Sequence, residues 1–267
     1  MQVATELRHL NFVISGLPRS GAYPIAQAIN QCTKAICHSG VLDPNNEVER
    51  TRAHVDYFGD CPHTLPWGER QPSLERYLSE TIMAKPQRHE KACGAFLPAT
   101  LMDSHNLYPL LAQWSQSSDF AFIHVIRNPV VSFISAKQAE RTANFVGDIA
   151  WALRPGIPVN KPGGTYIDPA ELQAYVDWAK QAEAKTQAAL HYQTMRISHQ
   201  RLVSDWWGTM TDVFYFLELP QHEVPLPPII RYPHRPIQSR CSNWAALKKS
   251  TRYDIANLMA QAEEEDV

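Results

Sequence analysis

The stretch that most limits what this chain can become is Phe120–Ile126, FAFIHVI, in which His124 is the only polar side chain. A run this short, rich in β-branched and aromatic residues, reads as a strand. Because it does not alternate apolar with polar, both of its faces must be buried. Strands buried on both faces belong to parallel sheets covered by helices on either side. Residues 11–15 (NFVIS) form a second run of this kind, closed by Gly16, and residues 35–38 and 194–198 read as two further strands.

Between these runs the spacing turns helical. Residues 24–30 open on a proline suited to a first helical turn. Residues 73–84 and 99–114 read as helices, the second with Leu101, Leu107, Leu110, Leu111 and Trp114 on its apolar face. Pro129 opens a helix to about residue 141. Asp168 stands at the N-cap of a helix over 169–190, where Leu172, Val176, Ala179, Ala182, Thr186 and Ala189 recur at helical spacing. Helices over 203–219 and 243–260 follow, and the acidic tail EEEDV is expected to fray. Two Pro-rich stretches, 154–168 and 220–240, fit no regular element, and long loops of this sort serve as lids or binding segments. Strands alternating with helices define an α/β fold with a central parallel sheet flanked by helices. A chain of 267 residues, 44% of them hydrophobic, suits a single domain over 1–267.

Charge and cysteine usage remove several classes of function. A net charge of −2 lacks the basic excess of a nucleic-acid-coating protein. No apolar stretch approaches the roughly 20 residues of a membrane helix. Glu6 and Arg8 precede the first apolar run, unlike a signal peptide. Cys32, Cys37, Cys61, Cys93 and Cys241 are odd in number and lack C-x-x-C pairing, so they suit neither a disulfide framework nor a zinc site. The expectation is a cytoplasmic protein with no membrane or nucleic-acid partner.

In parallel α/β sheets, ligands bind at the carboxyl ends of the strands. The loops after residues 15 and 126 should therefore face one site. Gly16-Leu17-Pro18-Arg19-Ser20-Gly21 joins a strand to a helix, where backbone N–H groups and the helix dipole favour an anion. Arg19 adds a charged fork and Ser20 a hydroxyl. No lysine follows Gly21, so this is not a Walker A loop. The residues alone also allow a plain connection with a surface arginine. Arg127 ends the strongest strand, with Ser132 and Ser135 on one face of the next helix. It makes either a second anion pocket or a cap on the sheet edge. Two pockets on one rim would suit a ligand with two separated phosphates.

ISGLPRSG and, about a hundred residues later, FIHVIRNPVVSFIS resemble the two nucleotide-binding signatures of sulfotransferases that use 3′-phosphoadenosine 5′-phosphosulfate (PAPS). MRISHQRLVSDWWGTMTDVFYFLEL is similar to that family's R-Y-E-D-L strand and F-L-G-L helix end, and SNWAALKKSTRYD to its N-[WFY]-x-x-L segment. The resemblance implies a P-loop-containing sulfotransferase-like fold with PAPS as donor and no metal. It places Leu17, Pro18, Arg19, Ser20, Gly21, Ala22 and Tyr23 around the 5′-phosphosulfate, and Arg127 and Ser135 on the 3′-phosphate. Arg240, just before the N-W segment, is a candidate third ligand there, and a surface loop is the other reading. Ala22-Tyr23 departs from the family's Thr-Thr.

Sulfuryl transfer needs cations on the leaving phosphate and a base for the acceptor. Arg19 is the expected cation. The family's histidine and glutamate bases are not intact here, which leaves His38 and then Glu47 as candidates, with Lys91 near the place of a family lysine that assists the bridging oxygen. His124 reads as a core histidine, and Trp206, Phe214 and their neighbours as core. Asp177, Glu183 and Lys185 read as a solvated face. Asp43, Glu47, Glu49, Asp56 and Asp60 suit either a cationic acceptor or plain surface. The expected activity is sulfation of a hydroxyl or amine on a small-molecule acceptor. The alternatives are a catalytically degenerate nucleotide-binding protein, suggested by Ala22-Tyr23, and a P-loop-like kinase, which the missing Walker lysine disfavours.

Overall fold

The computed structural model describes residues 9–39, 78, 91–146, 164–190, 193–221 and 236–265. Glu47 and the neighbouring acidic residues, Cys61, nearly all of the 73–84 helix and most of both Pro-rich stretches lie outside these residues.

Five described strands form one sheet: β1 (Leu10–Gly16), β2 (Ala35–Ser39), β3 (Ala92–Phe96), β4 (Phe120–Ile126) and β5 (Thr194–Ser198). Their order is β2-β3-β1-β4-β5, and every neighbouring pair is parallel. The two most apolar strands, β1 and β4, lie side by side near the middle with Ser15 opposite His124 and Gly16 opposite Val125.

Ten helices are described: α1 (Ala22–Ile29), α2 (Ala99–Ser104), α3 (Tyr108–Trp114), α4 (Pro129–Val146), α5 (Pro169–Ala189), α6 (His199–Ser204), α7 (Trp206–Phe216), α8 (Ile237–Arg240), α9 (Trp244–Ser250) and α10 (Tyr253–Glu265). On one face of the sheet, Phe12 and Ile14 pack with Ile25 and Ile29 of α1, Leu202 of α6 and Phe214 of α7. On the other, Val13 and Phe122 meet Met102, Leu107, Leu111 and Trp114. A third apolar cluster joins α4 and α5 to α9 and α10 through Ile134, Val176, Leu247 and Met259.

Strand β3 was not expected. Its sequence, ACGAF, has low β-propensity, and its place between β1 and β2 comes from packing. A Cβ on Gly94 would lie within 2.5 Å of the Phe12 ring, so only glycine lets that ring cross β3. Three expected helices are each two. Residues 99–114 break where Asn106 takes φ 47, and Pro109 restarts the helix. Residues 203–219 break at Asp205, whose carboxylate accepts from the Gly208 N–H at 2.9 Å and caps α7. Residues 243–260 break before Tyr253, and α10 runs on to Glu265. Glu263, the first residue of the acidic tail, accepts from Trp244 Nε1 (2.7 Å) and Lys248 Nζ (2.8 Å), and residues 266–267 lie outside the described residues. α5 begins as expected, with the Asp168 carboxylate accepting from Ala170 and Glu171.

Asp177 and Lys185 lie on a solvated face of α5, as expected, where they form surface ion pairs, whereas Glu183 turns to a buried partner. Glu183 meets buried His124 at 2.5 Å, Lys185 meets Asp103 at 2.5 Å, and Asp177 meets Arg252 at 2.5 Å. Burial alone would raise the Glu183 carboxyl, but the hydrogen bond and charge of His124 outweigh it and hold the group at about 2. His124 is thus a partnered core residue. Trp206 and Phe214 are buried, whereas Trp207 is exposed.

Candidate anion-binding site

The loop between β1 and α1 starts beside the end of β4. Leu17 accepts from the Ser20 N–H at 3.0 Å, closing a tight turn. Arg19 sits at φ 64 and Gly21 at φ 95, two left-handed residues within three. Such changes of handedness turn neighbouring N–H groups toward one side and build an anion-binding concavity. Gly21 is also the N-cap of α1 and carries no side-chain cap. A Cβ there would lie 2.6 Å from Leu202 Cδ2 and 3.2 Å from His199 Nδ1, so this position has room only for glycine.

Side chains from two other strand ends hold the loop. The Ser132 hydroxyl donates to the Pro18 carbonyl, and Arg127 Nη1 donates to the Arg19 carbonyl. His199, the first residue of α6 after β5, contacts the Ser20 carbonyl through Nδ1 at 2.8 Å. Ser132 is fully buried and shares a 2.8 Å hydrogen bond with the Tyr175 hydroxyl of α5. Burial pushes that phenol up to about 12, while Ser132 and the charge of Arg127 pull against it. Ser132 therefore braces the loop instead of joining Ser135 in an anion pocket. Asn128 fixes the start of α4, accepting from the Val130 N–H at 3.0 Å and donating to the Leu258 carbonyl of α10 at 2.8 Å.

Three guanidinium groups gather here. Arg19 Nε donates to Ser135 Oγ at 3.5 Å, and its pKa is lowered by burial and then by the charge of Arg240. Arg127 and Arg240 are each only 9% exposed. Arg240 Nε donates to Gln138 Oε1 at 3.1 Å, and Gln138 Nε2 returns a bond to the Arg240 carbonyl at 3.1 Å. A short parallel bridge between Thr165 and Cys241, with Thr165 N donating to Arg240 O at 2.9 Å, pins the same turn. Asn243 clamps the strap further by exchanging two bonds with Ile167, at 3.0 and 2.8 Å. Like charges held together and out of water repel, and a polyanion among them removes that cost. Ser20 Oγ is buried over Gly16 and has no hydrogen-bond partner among the described residues.

Arg19, Ser20, Arg127, Ser135 and Arg240 thus come together, with Leu17, Pro18 and Gly21 in the same loop and Ala22 opening α1. The Arg19 guanidinium turns toward Ser135 and Arg240. Tyr23 is 36% exposed at the rim, its ring 5.9 Å from that of Phe96 at the carboxyl end of β3. His38 also lies near a carboxyl end, but β3 separates its strand from β1. It pairs with Ala95, which packs on the face opposite α1, and its Nε2 is 3.9 Å from Cys93 Sγ. Lys91 is at the wrong edge. It precedes β3, and its backbone bonds to Lys34 and Leu10 at the amino ends of β2 and β1. Five residues of strand, about 16 Å, separate it from the arginines, so the expectation that it assists the bridging oxygen is withdrawn.

Gln138, Tyr175 and His199 are site residues that the sequence reading missed. Gln138 continues the three-residue spacing of Ser132 and Ser135 on α4. His199 follows β5 much as Arg127 follows β4, so the carboxyl-end rule extended one strand further would have found it. Tyr175 had no local signal.

Among solved structures, the chain is similar to a sulfotransferase from Alicyclobacillus acidocaldarius (16% identity, 97% of this chain and 94% of that one covered, TM-score 0.47). It is also similar to the sulfotransferase domain of the Synechococcus PCC 7002 olefin synthase (11%, 96% and 96%, TM-score 0.41). A third similar structure is a Mycobacterium tuberculosis H37Rv sulfotransferase (15%, 97% and 76%, TM-score 0.42). No curated protein matches the sequence. No described helix is long and apolar enough to cross a membrane. The family model for the sulfotransferase domain matches residues 10–251, nearly the whole chain, and the protein therefore belongs to the sulfotransferase family.

Proposed function

We propose that this protein transfers a sulfuryl group from PAPS to a hydroxyl or amine of a small-molecule acceptor. The observation that carries the proposal is the convergence of Arg19, Arg127 and Arg240 on a loop whose two left-handed residues turn amides to one side. These residues fit a donor with several negative charges, and the buried Ser20 hydroxyl still has a hydrogen bond to make. The donor supplies a sulfuryl group whose departure leaves charge on a phosphate. The loop amides and Arg19 take the 5′ end, while Arg127, Ser135 and Arg240 take the 3′-phosphate. Donors fixed in advance stabilise developing charge without reorganising, and the bracing of the loop supplies that fixity. His38 is the proposed base for the acceptor's proton, supported by its place at the carboxyl end of β2.

Ala22 is buried and Tyr23 packs on Phe96, so the family's two threonine hydroxyls have no counterpart in the loop. That observation favours a second reading, a nucleotide-binding protein without transfer. Calorimetry with adenosine 3′,5′-bisphosphate, together with incubation with PAPS and a panel of alcohols, phenols and amines, separates the two. Micromolar binding that weakens at least tenfold in both Arg19→Ala and Arg127→Ala, with bisphosphate released on adding an acceptor, is the expected result. Binding without release under any acceptor supports the second reading. No heat from the wild-type protein refutes both.

A further inference from the structure

The Pro18, Arg19 and Ser20 carbonyls each contact a side chain from outside the loop: Ser132, Arg127 and His199. A peptide unit is planar and trans, so its N–H points opposite its C=O. The unit whose carbonyl faces His199 is the one that carries the Gly21 N–H, at the start of α1. It is also the unit best able to turn over. Flipping a peptide plane mainly changes ψ of the residue before and φ of the residue after, and glycine accepts either sign of φ. Gly21 at φ 95 gives the flip little resistance of its own.

We propose that His199 is a positioning residue that locks the Ser20–Gly21 peptide and so keeps the Gly21 N–H aimed at the bound anion. Its ring lies against Gly21, where a Cβ would be 3.2 Å from Nδ1 and 3.7 Å from Cε1. A carbonyl only accepts, so Nδ1 carries a hydrogen and donates it. The imidazole acts through the backbone and does not touch the ligand. The inference rests on the reading of this loop as the anion site, and goes beyond it by assigning the lock to the first residue of α6.

The test uses the full chain as wild type, His199→Ala and His199→Asn, titrated calorimetrically with adenosine 3′,5′-bisphosphate and with inorganic pyrophosphate. ¹⁵N NMR of the histidine-labelled wild type reads the tautomer. His199→Ala should weaken both probes about five- to tenfold, the usual effect of one lost hydrogen bond. His199→Asn, which returns a short N–H donor, should recover most of the loss, and the NMR should show Nδ1–H. Unchanged affinity in His199→Ala, an asparagine no better than alanine, or an Nε2–H tautomer overturns the inference. If the alanine variant does not fold, the asparagine variant and the tautomer decide it. Wild type that binds pyrophosphate but not the bisphosphate removes the PAPS assignment, and the pyrophosphate series then decides on His199. Wild type that binds neither removes both.

Discussion

Replacing Gly21 by alanine tests the loop geometry at its tightest point, and the cost has two separable sources. At φ 95 an L-residue is strained, by roughly 1–2 kcal/mol. The new methyl would also lie 2.6 Å from Leu202 Cδ2, and Leu202 is fully buried against β1, α1 and α7. Displacing a packed core side chain costs about 1–3 kcal/mol. The variant should therefore lose roughly 2–5 kcal/mol, which in a domain of this size lowers the melting temperature by about 4–20 °C. Urea unfolding in two backgrounds separates the sources. With Leu202→Ala already present the methyl has room, and Gly21→Ala should then cost only the strain, roughly 1–2 kcal/mol. The two substitutions should thus be coupled by about 1–3 kcal/mol. If Gly21→Ala melts with the wild type, or costs the same in both backgrounds, the left-handed glycine packed on α6 is wrong.

The ion pair between Glu183 and His124 carries a pH signature. A carboxyl held at about 2 instead of the ordinary 4.5 contributes stability that is complete above about pH 4.5 and lost as pH falls toward 2. Glu183→Gln should cost about 1–2 kcal/mol at pH 7, after allowing for screening at a side chain 32% exposed. Urea titrations should show that deficit shrinking toward pH 3; a deficit that grows with acid contradicts the pairing. Lys91→Ala should leave the rate of sulfuryl transfer unchanged, because Lys91 is on the amino edge of the sheet. A large loss of rate without loss of fold would restore it to the chemistry.

Much of the fold was legible because strands buried on both faces announce themselves. FAFIHVI and NFVIS needed no context, and the Asp168 cap fixed the start of α5 to the residue. Helix ends within 99–114, 203–219 and 243–260 were not legible. Apolar periodicity runs straight across a break when the two halves pack on the same core, as Leu202 and Phe214 do. Strand β3 was hidden for the opposite reason, since its small side chains matter only for what they let through, the Phe12 ring over Gly94.

The candidate site divides along the same line. The order of elements, a strand end followed by Arg19 and another followed by Arg127, sufficed to set both arginines on one rim, because parallel strands put all their carboxyl ends together. The braces depend on distance in space alone: His199 stands 179 residues from Ser20, and Arg240 stands 102 residues from Gln138. Local sequence determines which groups a turn offers. Only the packed sheet decides which carbonyls are drawn inward, which amides are left facing out, and that Lys91 lies a strand's length away.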